Sequence, residues 1–189
     1  MMRKWLVVLI LLVGSLSAFA VEGKDESREN RKLVYKVDIK DEIGPSIWRL
    51  VKRSFDRATD ENADVILVHM NTYGGMVVYA DSLRSLILNY PKPVWVFIDN
   101  NAASAGALIS IACDRIYMRE GANIGAATVV NQTGDAMPDK YQSYMRSMIR
   151  ATAQAHGKDT VMENGQSVIR WKRDPRIAEA MVDERVVVE

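Results

Sequence analysis

The sequence predicts an α/β fold of repeated β-α units on a mainly parallel sheet, and three observations carry that prediction. Short runs rich in β-branched and aromatic residues alternate with longer helical patterns through most of the chain. Each run reaches the next through a helical stretch and not a tight hairpin, so successive strands run the same way and cross over right-handedly. Two runs, 65–68 and 94–98, are continuously apolar, the pattern of strands buried on both faces of a parallel sheet.

Taken in order, residues 33–39 give the first strand, with Val34, Lys36 and Asp38 alternating. Pro45 then opens a helical pattern in which Ile47, Leu50, Val51, Ser54 and Phe55 share a face; proline at the first helical position removes no hydrogen bond. Residues 65–68 form the second strand, and Asn71-Thr72-Tyr73-Gly74-Gly75 leads into a helix over 77–88. A loop holding Pro91 and Pro93 precedes the third strand at 94–98, and a third helix follows over 105–112. Residues 115–119 read as a further strand. The segment 120–127 is too rich in glycine and alanine for an element interior, and close approach of backbones is its expected purpose. A polar loop over 131–138 leads into a long helical pattern over 139–156, carrying Tyr141, Tyr144, Met145, Met148, Ile149 and Ala153 and stopped by Gly157. Residues 158–170 read as irregular chain or a hairpin, and Asp174-Pro175 starts a last helix to about residue 182.

With 189 residues and 48% hydrophobic content the chain can bury one sizeable core, and one domain is expected. The 25 basic and 24 acidic residues nearly cancel, and no basic block with interleaved aromatics occurs, so nucleic-acid binding is set aside. The single cysteine, Cys113, rules out an intramolecular disulfide and a multi-cysteine metal site. Its apolar surroundings predict a buried core thiol. No cofactor is expected.

Residues 1–20 are a different object, with Arg3 and Lys4 ahead of an apolar run at 5–13 and then Ala18-Phe19-Ala20. That is the three-part layout of a secretory signal peptide cleaved after Ala20, and the run is short for a permanent span of roughly 20 residues. Residues 21–32 are a polar, charged leader, so the folded domain is expected over 33–189. The expected location is exported, in the periplasm or at the extracytoplasmic face of the membrane.

Chemistry concentrates on two loops that leave the carboxyl ends of adjacent strands, the edge where open α/β sheets place ligands. One carries Gly74-Gly75 and the other carries Ser104, within Asn100-Asn101-Ala102-Ala103-Ser104-Ala105-Gly106. A serine at a strand-to-helix turn reads either as a helix cap or as a nucleophile lifted out of the sheet. A glycine pair reads either as a tight turn or as a source of outward N–H groups; one such N–H and that of Ala105 are placed to converge as an oxyanion hole. A serine nucleophile needs a base. His69 lies within an apolar strand, as a core or supporting residue, and His156 beside Gly157 is explained as a helix C-cap. Neither completes a triad. A neutral lysine serves if burial lowers its pKa by roughly 2 to 3 units. Lys140 qualifies by its place at a helix start among Met137, Tyr141 and Tyr144, although spacing alone does not select it over Lys158.

Four segments, Asn71-Thr72-Tyr73-Gly74-Gly75, Asn101 to Gly106, Gly121 to Ala126 and Pro138-Asp139-Lys140, occur in an order that resembles the peptidase domain of long NfeD-type proteins, in the ClpP/crotonase superfamily. The resemblance runs from about residue 33 to 188 and implies a ClpP/crotonase-like fold and a Ser/Lys serine peptidase. Position by position it implies Ser104 as nucleophile, Lys140 as general base, and Gly75 and Ala105 as oxyanion donors. It further implies a homodimer that cleaves apolar segments of membrane-associated, stomatin-like proteins. Gly74, Met76, Tyr79, Tyr141 and Met145 are candidates for the substrate groove, each of the four side chains having a core role as its alternative. Two departures stand out. Tyr73 occupies a position where the family usually has proline. The family also continues past the position of Val188 into a further strand, a helix and membrane spans, so the domain is expected to be truncated at its C-terminus. The rival readings are an acyl-CoA enzyme, disfavoured by Ser104 and the signal peptide, and a catalytically silent ClpP-fold module that binds a membrane partner.

Overall fold

Alternation along the strands sets the architecture. In β1 (Val34–Ile39), Val37 and Ile39 are buried while Lys36 and Asp38 are exposed. In β2 (Val65–Thr72) the buried set is Val65, Ile66, Val68, Met70 and Thr72, with Leu67 and His69 half-buried. β3 (Val94–Ala103) repeats the pattern, burying Val94, Val96 and Ile98 and leaving Trp95 and Phe97 half-buried. A strand with β-branched residues every second position presents one apolar face, and these three faces coincide when the strands pair in parallel. The computed structural model, which describes residues 31–183 and 185, shows that sheet in the order β1-β2-β3-β4, with β4 at Arg115–Met118. Every pairing in it is parallel, as the three β-α units require. The expected signal peptide, most of the expected leader and residues 186–189 lie outside the described residues.

Three helices follow the first three strands: α1 (Pro45–Asp60), α2 (Val77–Leu88) and α3 (Ala105–Ala112). α1 buries Ile47, Val51, Phe55 and Ala58. Leu50, expected on that face, is exposed, because the i, i+4, i+8 stripe turns it outward. All eight residues of α3 are buried, which makes it the central helix of the core. Leu108, Ile109, Leu83, Ile66 and Ile98 belong to one hydrophobic cluster with the α1 stripe. Cys113 sits inside it with no exposed surface, and burial pushes its thiol up to about 12.

Burial on both sheet faces was the expectation from the apolar runs, and the described residues do not meet it. The second face carries polar pairs: Lys36 Nζ lies 3.0 Å and His69 Nδ1 2.7 Å from Asp38 Oδ1, and the His69 ring stacks on Phe97. Burial works against the Asp38 carboxylate, but hydrogen bonds from Lys36, His69 and Lys40 hold it down at about 2. His69 is therefore a half-buried member of a polar cluster and not a core residue. The glycine-rich segment also departs from expectation. Asn123–Gly125 forms a short strand, β5, that pairs with the end of β3 in parallel, its small residues allowing the approach.

The remaining elements are α4 (Asp139–Ala155), the antiparallel hairpin β6 (Lys158–Glu163) and β7 (Gln166–Trp171), and α5 (Pro175–Ala180). α4 buries Met145, Met148, Ile149 and Ala153, and leaves Tyr141 and Tyr144 exposed. Gly157 at φ 72° ends it as the sequence predicts. Asn164 and Gly165, both with positive φ, form the turn that resolves 158–170 as a hairpin.

Candidate active site

β2 and β3 are neighbours, so their carboxyl ends deliver the Gly74-Gly75 loop and Ser104 to one place. Register between the two strands shifts after Met70, which pairs with Ile98, to Thr72, which pairs with Ala102, so β3 takes the longer path. Asn101 N–H donates to Asn71 Oδ1 at 3.3 Å across this irregularity. Ser104 then sits between β3 and α3 at φ 53° and ψ −116°. An ordinary N-cap residue has extended backbone and a side-chain oxygen bonded to the helix start. Ser104 has neither, since its side chain makes no capping bond. A non-glycine residue in such a conformation is strained by about 1–3 kcal/mol and persists only where its surroundings hold it. Its own N–H donates to Gly125 O at 2.8 Å, so β5 is the brace. That bond gives the glycine-rich segment the close backbone approach expected of it.

Gly74 and Gly75 are held against Ser104 and against the β1-α1 loop. A Cβ built on Gly74, where φ is 114°, would stand 2.6 Å from Ser104 Cβ and 3.1 Å from its Oγ. Gly75, at φ 151°, has no room for a Cβ against Ile43. Ile43 N–H donates to Gly74 O at 2.8 Å, and Met76 N–H donates to Ile43 O at 2.8 Å. In such a parallel bridge the central residue's own N–H points away from the partner strand. Gly75 N–H therefore faces the β3 side, where Ser104 stands. Ala105 opens α3, and the first N–H groups of a helix lack an intrahelical acceptor. Gly75 and Ala105 thus each follow directly on one partner of the Gly74–Ser104 contact, and each carries a backbone donor.

Lys140 stands on the first turn of α4, with Nζ 5.0 Å from the centre of the Tyr141 ring. It lines an apolar cavity of about 420 Å³ together with Val77, Val129, Tyr141, Tyr144 and Met145. Val77, at the start of α2, is the lining residue nearest in sequence to the glycine loop, and neither glycine nor Ser104 lines this cavity. Lys158, by contrast, lies on β6 over the Trp171 ring. The fold thus separates two lysines that spacing left equivalent. Among the described residues, no hydrogen bond joins Lys140 to Ser104, and Lys140 is exposed. His156 is remote from this cavity, its Nε2 lying 2.8 Å from Ile111 O and 2.7 Å from Arg173 Nη1.

A second cavity, about 570 Å³ and lined largely by polar residues, takes in the glycine loop itself, with Lys40, Asp41, Glu42, Tyr73, Gly74 and Gly75 among its walls. Met76 lines a third recess, beside Pro45 and Ile47, and so stands apart from Tyr141. Tyr79 packs against the core. Of the groove candidates, Tyr141 and Met145 share the apolar cavity, and Gly74 borders the polar one. Tyr73, in the place of the family's proline, is 83% exposed and leaves the glycine bridge intact. The roles of Thr72 and of the Asp41–Glu42 rim are not legible in the sequence, because both depend on how close the β1-α1 loop comes to β2.

The profile of the family described as NfeD1b, N-terminal domain, matches residues 33–189. The chain is similar to the membrane protein NfeD1b of Bacillus subtilis, 31% identical over 157 residues, which is 83% of this chain and 32% of that protein. It is also similar to the membrane-bound protease PH1510 of Pyrococcus horikoshii, 26% identical over 85% of this chain and 36% of that protein. The chain thus spans about a third of the length of these curated relatives. Among solved structures it superposes with TM-score 0.68 and 24% identity on a variant of the 1510-N membrane-bound stomatin-specific protease, covering 82% of this chain and 72% of the other. A second variant of that protease, in complex with a substrate peptide, superposes equally well, with 68% of its chain covered. These structures share the fold of this chain, α/β with a mainly parallel sheet.

Proposed function

The chain belongs to the NfeD1b N-terminal domain family, and from that premise we propose that it is a serine endopeptidase using a Ser104/Lys140 dyad. One observation carries the reading: Ser104 is held at φ 53° without a capping bond, against a glycine that must lack a side chain for it to fit. In the proposed reaction Lys140 takes the Ser104 proton and Oγ attacks a peptide carbonyl. Gly75 and Ala105 N–H groups stabilise the tetrahedral oxyanion, each such donor contributing a factor of about 10² to 10³. The leaving amine departs with a proton, and water then hydrolyses the acyl-enzyme.

The proposed substrate class rests on the apolar cavity that Lys140 lines, which suits an apolar segment of a membrane-associated protein. A stomatin-like protein is the proposed partner, by likeness to a relative that is named a stomatin-specific protease. The proposal includes an exported, extracytoplasmic location and a homodimer. A second copy over the exposed Tyr141–Tyr144 face would remove water from Lys140 and so favour its neutral form.

A second reading, a silent module that binds the same partner, draws on the exposure of Lys140 and its lack of a bond to Ser104. Mass spectrometry of apolar peptides incubated with the folded protein separates the two. Cleavage that disappears in both Ser104→Ala and Lys140→Ala is the expected result. Binding without cleavage by the unaltered chain favours the silent module.

A further inference from the structure

Thr72 is a buried polar residue, 2% exposed, at the last position of β2. Its hydroxyl donates to Asp41 O at 2.8 Å and accepts from Gly74 N–H at 3.2 Å. Its methyl faces the other way. A Cβ built on Gly106 would stand 2.8 Å from Thr72 Cγ2, so the side chain is in close contact with the first turn of α3. One threonine therefore touches both loops of the site. Through the hydroxyl it ties the Gly74-Gly75 loop to the β1-α1 loop, and through the methyl it sets how near α3 approaches.

We infer that Thr72 is a positioning residue that fixes the spacing between the Gly75 and Ala105 N–H groups. The inference rests on the reading of Ser104 as nucleophile. Two donors must converge on one oxygen within a few tenths of an ångström, and Thr72 contacts the carriers of both, the glycine loop through Gly74 N–H and α3 through Gly106. β-Branching is essential to the role. Serine supplies the hydroxyl without the methyl, and valine supplies the shape without the hydroxyl, leaving the buried Gly74 N–H unpaired and breaking the tie to Asp41 C=O.

The test is the rate at which a fluorophosphonate probe phosphonylates the folded protein, with the maximal rate resolved from the probe's affinity. Thr72→Val is expected to lower the maximal rate about ten- to a hundredfold with affinity unchanged, and Thr72→Ser to lower it by less, because it keeps the hydroxyl tie and loses only the methyl contact with α3. Gly106→Ala is expected to slow the reaction by pushing on the Thr72 methyl, and adding Thr72→Ser to it is expected to restore the rate. A merely structural threonine lowers the folded fraction and leaves the rate per folded molecule alone. Labelling of Thr72→Val at the unaltered rate overturns the inference while sparing the nucleophile. No labelling of the unaltered chain overturns the nucleophile and the inference with it. Where Thr72→Val does not fold, the Gly106→Ala pair decides: a doubly substituted protein no faster than Gly106→Ala alone contradicts the role.

Discussion

Ser104 adopts a backbone conformation that helix capping does not require and that its neighbours enforce at three points. Gly125 O binds its N–H, Gly74 packs on its Cβ, and α3 begins at once behind it. The small residues on which this depends were legible, because glycine and alanine runs at strand ends signal close backbone approach whatever the partner. The partner itself was not. That Gly125 serves Ser104 follows from β5 pairing with the end of β3, a contact between residues 22 apart in pairs such as Asn101 and Asn123. His156 was legible only as a helix end. Burial, then the Arg173 charge beside it, lowers its pKa below the ordinary value of 6.5, with Lys172 acting in the same direction and the Ile111 carbonyl and Asp114 opposing. A base with a depressed folded pKa contributes stability above the unfolded value and loses it as pH falls through the folded one. Urea unfolding is therefore expected to show a loss of stability below pH 6.5 that is smaller in His156→Gln; equal losses in both proteins contradict it.

At the scale of elements, α2 and α3 run over the residues that periodicity and their flanking loops assign to them. β3 does not, for the sequence marks its apolar part and the strand continues through the polar Asp99, Asn100 and Asn101. Pairing with β2 and β5 overrides the poor strand propensity of those residues, and the extension carries Ser104 to its place. The hairpin was legible as one of two options, because an Asn-Gly pair between β-rich runs favours a tight turn. A two-stranded hairpin is marginal alone. This one is tied back by Lys172 N–H to Gly157 O at 3.1 Å and by Arg173 Nη1 to Ile111 O at 2.5 Å. The burden of stability falls on α3. Leu108→Ala is expected to destabilise the fold by about 2–5 kcal/mol in denaturant titration, and a change below about 1 kcal/mol contradicts the central place given to α3.

Over the whole molecule, the fold class was readable because each β-α unit states its own alternation and its own breakers, and right-handed crossovers leave few ways to combine them. Burial on both sheet faces was misread for the opposite reason: an apolar run reports hydrophobicity and not which side a helix covers. The candidate site lies between these cases. Its glycines and serine are adjacent in sequence to the strand ends that the topology gathers, whereas Lys140, placed by the packing of α4, lines a separate apolar cavity that holds neither Ser104 nor the glycines. The dyad is thus the claim on which the account turns. Its most direct measurement is fluorophosphonate labelling of the folded protein, with the modified residue mapped by mass spectrometry. A single phosphonyl group on Ser104, formed by the unaltered chain and lost in Lys140→Ala, is the predicted result. Correctly folded protein that takes up no label, or that labels equally well without the Lys140 amine, contradicts it.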